Sequence, residues 1–123
     1  MARKLLFLLF TDEPCRQNHA LLYALDLHRQ GHAVKLVVEG LATQALAQLD
    51  EPASRFAELF AELQQAGVLV GACERACSGC ASNDPKRKVA EVASEHGVAL
   101  LRDLEGHAGI ERFVRDGYEI VVF

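Results

Sequence analysis

Directly after the apolar run Val68-Leu69-Val70 comes Gly71-Ala72-Cys73-Glu74-Arg75-Ala76-Cys77-Ser78-Gly79-Cys80, which holds three of the four cysteines of this 123-residue chain; the fourth is Cys15. Clustered thiols support two kinds of chemistry, nucleophilic or redox reactions of sulfur and capture of a soft metal ion. Cys73, Cys77 and Cys80 are spaced i, i+4, i+7, so a helical segment would set them on one face with Cys73 at its start. A thiol at a helix N-terminus meets the positive end of the dipole and unsatisfied N–H groups, which favour its thiolate. Cys73 is therefore the leading nucleophile, with Cys77 or Cys15 as resolving or relay thiols and Cys80 as part of a packed helix face. Taken singly, Cys15, Cys77 and Cys80 each read equally well as a small core hydrophobe.

Three or four thiolates close together also suit zinc or an iron–sulfur cluster, so Cys73, Cys77 and Cys80 form an alternative metal-ligand set. Only Cys77-x2-Cys80 has the usual zinc-ribbon interval. The Cys-x3-Cys-x2-Cys spacing resembles the cluster motif of radical SAM enzymes, but the chain is too short to contain their barrel. Arg75 and Lys86, with Arg87 and Lys88, would attract an anionic donor such as thiosulfate, or form an ordinary solvated face. His107 would serve as acid or base near Cys73, and His19 would sit with Cys15 at the start of the first helix; the plain alternative for both is a surface histidine.

The elements that must position these residues follow from the apolar pattern. Lys4 to Phe10 has no alternation, so as a strand it needs both faces covered, as in a parallel sheet with helices on each side. Thr11 to Arg16 reads as a polar loop and Gln17 to Gln30 as the first helix, stopped by Gly31. Ala33 to Val38 is the second strand. Glu39-Gly40 turns the chain into a weak helical stretch, Leu41 to Leu49. A better helix opens at Asp50-Glu51-Pro52, with Phe56, Leu59, Phe60 and Leu63 on its apolar face and Gly67 as its stop. Val68 to Ala72 is the third strand. Asp84 and Pro85 then restart a helix as N-cap and first residue, with Val89, Val92, Ala93 and His96 inward. Val98 to Leu101, a short helix near Ile110 to Arg115, and Tyr118 to Phe123 complete the chain.

Strands alternating with helices at these spacings predict a single domain over residues 1–123: a three-layer α/β/α sandwich with a five-stranded parallel sheet. Sites in such open sheets form beyond the carboxyl ends of the strands, where Cys73 follows the third strand and Cys15 the first. If those two strands are neighbours, all the cysteines share one edge.

Composition narrows the function classes. Half the residues are hydrophobic, ample for a core, and the formal charge of -4 with no long basic run argues against nucleic acid as a partner. The apolar run at Leu5 to Phe10 ends at Thr11-Asp12-Glu13-Pro14 without a small-residue cleavage site and is too short to cross a bilayer, so neither export nor a membrane is expected. The expected location is a reducing cytoplasm, where clustered thiols mean metal or sulfur chemistry more often than structural disulfides. No glycine-rich dinucleotide fingerprint follows the first strand. A third class is a non-catalytic subunit whose sheet-edge thiols bind a partner.

The order of these features resembles the DsrE/TusD-like family of sulfur-relay proteins. The likeness rests on the apolar first strand, Gly31-His32-Ala33-Val34 leading into the second, the cysteine ending the third, Gly97-Val98-Ala99-Leu100-Leu101, and the terminal Glu119-Ile120-Val121-Val122-Phe123. It covers nearly the whole chain. The resemblance implies a DsrE-like fold, a Cys73 that accepts sulfane sulfur as a persulfide and passes it to a partner's cysteine, no cofactor, and assembly as a homotrimer or homohexamer. Donor and acceptor would be proteins or small persulfides. The additional thiols Cys15, Cys77 and Cys80 depart from a single-cysteine relay.

Overall fold

In the computed structural model, which describes residues 2–79 and 88–123, the N-terminal apolar run is strand β1, Lys4–Leu9, with Leu5 to Leu9 all buried. It is covered on both faces, as an unalternating run requires. Helix α1 spans Pro14–Arg29 and begins three residues earlier than the apolar spacing alone predicts. The Glu13 carboxylate accepts from the N–H groups of Cys15 and Arg16, and Pro14 fills the first turn. Cys15 is thus a first-turn helical residue rather than part of a loop.

Strand β2, Ala33–Val38, leads into a 3₁₀ run, Gly40–Asp50, and then helix α2, Arg55–Gln65. The cap of α2 is Ser54, whose hydroxyl accepts from Ala57 N–H, so Pro52 lies before the helix and not in its first turn. Strand β3 is Leu69–Cys73, helix α3 Glu74–Gly79, helix α4 Val89–Glu95, strand β4 Leu100–Leu101, helix α5 Glu111–Arg115 and strand β5 Glu119–Val122. The proposed restart at Asp84 and Pro85 lies outside the described residues. Val89, Val92 and Ala93 of α4 are buried as expected, whereas His96 is exposed and pairs with Asp50 at 2.9 Å.

Among the described residues the five strands form one all-parallel sheet in the order β4-β3-β2-β1-β5, flanked by helices as a three-layer α/β/α sandwich. The order explains the unequal layers. The chain steps from β1 through β2 and β3 to β4 in one direction, so right-handed crossovers put their helices on one face. The return from β4 to β5 passes the other way and sets α5 on the opposite face.

Two cores result. The first joins Leu5, Phe7, Leu9, Leu36 and Val38 to α1, α2, α4 and Cys77; the second holds Leu6, Leu8, Val37, Cys73, Ala108 and Phe113. Their odd and even positions are the two sides of the pleat.

Candidate functional site

The described segment of the cysteine-rich stretch does not lie on one helix face. Strand β3 runs through Cys73 before α3 begins, so Cys73 follows strand alternation and packs in the second core, while Cys77, four residues on, packs in the first. The expected shared face of Cys73 and Cys77 is corrected accordingly, and Cys80 lies outside the described residues. The expected shared edge of Cys15 and Cys73 is corrected as well: β2 stands between β1 and β3, which places those strands roughly 10 Å apart. Cys15 is exposed, whereas Cys73 and Cys77 are buried.

Cys73 is held where it is by the close approach of β4. A Cβ at Gly71 would lie 2.3 Å from the carbonyl oxygen of Ala99, so only glycine lets Ala72 N–H donate to that oxygen at 2.9 Å. This registers Cys73 beside Leu101. The chain after β4 then folds back over the strand end. Leu104 and His107 exchange both backbone hydrogen bonds at 2.8 Å around Glu105 and Gly106, whose φ angles are 50° and 89°. Positive φ at both central residues marks a type I′ hairpin turn, in which glycine at the second place removes the strain. Gly106 O accepts from Arg75 N–H at 3.0 Å, tying the turn to the start of α3. One first-turn donor of this short helix is thereby satisfied by the turn.

The consequence is a thiol–imidazole pair. Cys73 Sγ lies 3.4 Å from His107 Nδ1, within hydrogen-bond reach for sulfur, with the cysteine 2% exposed and the histidine open to solvent. In this geometry an Nδ1 that carries no proton can accept a hydrogen bond from the thiol, and a protonated one can donate to the sulfur. The structure thus brings together Cys73 and His107. It also pairs Cys15 with His19, Sγ to Nδ1 at 3.5 Å, but the same Nδ1 lies 2.7 Å from Cys15 O. Arg75 is exposed, its stem against Gly106, and Lys86 lies outside the described residues.

Sequence reasoning passed over Glu39, reading it as half of a Glu-Gly turn. It is the first charged residue after the apolar end of β2, and a charged side chain at the carboxyl end of a central strand is the signal that marks it. Glu39 Oε1 is buried without a hydrogen-bond partner among the described residues. Burial, reinforced by the nearby Asp103 carboxylate, pushes the Glu39 carboxyl above the usual range. Asp103 is itself fixed by accepting from Gly109 N–H at 3.1 Å. Among the described residues no three His, Cys, Asp or Glu side chains converge to hold a metal ion, and no helix is long and apolar enough to cross a membrane.

With this geometry in place, comparison with known proteins finds 44% identity over 43 residues with an uncharacterized protein of Archaeoglobus fulgidus, a match spanning 35% of this chain and 70% of the archaeal one. The chain belongs to the family of that archaeal protein. Its archaeal relative has no stated activity, so the chemistry has to be read from the site. No family model and no solved structure matches the chain.

Proposed function

We propose that the protein is a DsrE-like sulfur carrier in which Cys73 takes up sulfane sulfur as a persulfide and passes it to an acceptor thiol. The observation that carries this reading is the buried Cys73 thiol at the carboxyl end of β3, 3.4 Å from His107 Nδ1. His107 takes the proton of Cys73. The thiolate attacks the outer sulfur of a donor persulfide, R–S–SH; a bond forms between Cys73 Sγ and that sulfur, the donor's S–S bond breaks, and R–S⁻ departs. Delivery is the same exchange run against an acceptor thiolate, with no net oxidation. Burial of Cys73 suits a carrier, because it keeps a reactive sulfane sulfur from bulk thiols and oxidants.

The resemblance extends the proposal to a cytoplasmic homotrimer or homohexamer that meets donor and acceptor proteins. Anaerobic incubation with glutathione persulfide, followed by denaturing mass spectrometry, tests it. The expected result is a gain of one sulfur atom that disappears in Cys73→Ser while the variant's circular dichroism stays unchanged; full loading of that variant would contradict it.

A further inference from the structure

Glu39 continues β2 past its last paired residue. Val38 is in register with Ala72, so the next step sets Glu39 beside Cys73 on the neighbouring strand, about 5 Å away between backbones. Its φ of −134° and ψ of 167° are extended, and its N–H donates to Leu9 O at 2.8 Å, so the pleat persists there. Alternation then puts its side chain on the sheet face of Val37, the face on which Cys73 packs. Register and alternation therefore set Glu39 next to Cys73 on one face of the sheet, while His107 reaches the same cysteine from the turn after β4.

An oxygen buried without a donor is costly on a carboxylate and much less so on a carboxylic acid. The same burial, with Asp103 adding to it, favours the protonated form of Glu39. Other charged groups nearby are Glu74 and Arg75 on α3, with Glu74 engaged by Arg102 at 3.5 Å.

We propose that Glu39 is the general acid of the exchange at Cys73, donating its proton to the sulfur that leaves. This rests on the sulfur-carrier reading and assigns the step which that reading leaves open. Cys73 thiolate, R–S–SH and the Glu39 carboxylic acid give Cys73 persulfide, R–SH and Glu39 carboxylate. The imidazolium of His107 gives up its proton through solvent and Glu39 regains one, so the proton lost by Cys73 is balanced by that on R–SH. A base and an acid beside the same cysteine suit a reaction that ionises one thiol while neutralising another.

The test compares leaving groups at Cys73, read by peptide mass mapping at pH 7 on the full chain. Glutathione persulfide expels a basic thiolate, whereas methyl methanethiosulfonate expels a weakly basic sulfinate that needs no proton. Glu39→Gln is expected to slow sulfur loading at least about tenfold while leaving the thiosulfonate rate within about twofold. That second rate also reports an intact site in the variant. Equal slowing with both probes, or slowing with neither, would overturn the assignment. Should the wild-type chain take up no sulfur from the persulfide, the carrier reading fails, and cystamine, an alkyl disulfide with a basic leaving thiol, replaces it. Selective loss against cystamine in Glu39→Gln then upholds the acid role; no selectivity overturns it.

Discussion

Among the described residues two cysteine–histidine pairs have nearly equal separation, and their surroundings differ. Cys73 and His107 are 34 residues apart in sequence and meet because β3, β4 and the turn after β4 bring them together at 3.4 Å. Cys15 and His19 meet at 3.5 Å merely because they are one helical turn apart. The nitrogen facing Cys15 lies 2.7 Å from a backbone carbonyl, which can only accept, so that hydrogen bond holds the proton on Nδ1 and denies it to the thiol as a base. No such competitor is seen for His107 Nδ1 among the described residues. Burial separates the pairs further, since Cys15 is exposed and Cys73 is not. Distance alone therefore does not decide what a thiol–imidazole pair can do; the tautomer and the solvent around the sulfur also matter.

The widest expected gap between the two pairs is in sulfur loading: Cys73→Ser loses it entirely and Cys15→Ser keeps it, as read by mass after exposure to a persulfide. Next come the histidines. His107→Gln is expected to slow loading by about a hundredfold, the usual contribution of a positioned base, and His19→Gln to change it less than twofold in the same kinetic assay.

A structural break sharpens the contrast in another way. Gly71→Ala drives a Cβ into Ala99 O, so thermal unfolding should show a loss of about 2–3 kcal/mol. The displaced β4 should also slow Cys73 loading while leaving alkylation of Cys15 unchanged.

The smallest effects are pH-dependent and opposite in sign. Hydrogen bonds from Cys15 and Arg16 N–H hold Glu13 below the usual carboxylate range, so its contribution is present above that range and is lost as pH falls through its folded value. Burial, then Asp103, raises Glu39, so the folded state binds the extra proton and stability declines as pH rises through the interval above the ordinary range. Melting curves should show Glu13→Gln destabilising at pH 7 and near neutral at pH 3. Glu39→Gln should be more stabilising at pH 7 than at pH 4.

Much of the scaffold was legible in the chain. An unalternating Leu/Phe run can be satisfied only between two covered faces, and β1 has both. Boundaries shifted where two start signals compete within a few residues. Pro52 and Ser54 both suit a helix start, and the hydroxyl of Ser54 reaches Ala57 N–H. Glu13 caps α1 although its side chain is longer than that of the favoured cap residues.

The site was legible in part. His107 is a loop histidine following β4, and its Nδ1 lies 3.4 Å from Cys73 Sγ. The i, i+4, i+7 spacing misled because it assumes that Cys73 is helical; one more strand residue changes the period from 3.6 to 2 and sends Cys73 and Cys77 to opposite faces. Strand order was the other gap. Alternation of strands and helices requires a parallel sheet but leaves open whether β1 and β3 touch, and here β2 lies between them.

The most direct test of the account is site-resolved loading of the wild-type chain with one equivalent of glutathione persulfide under anaerobic conditions, trapped by alkylation and read by peptide mass. The account predicts the added sulfur on the peptide carrying Cys73, with Cys15 alkylated as a bare thiol. Sulfur on Cys15 with Cys73 bare would contradict it.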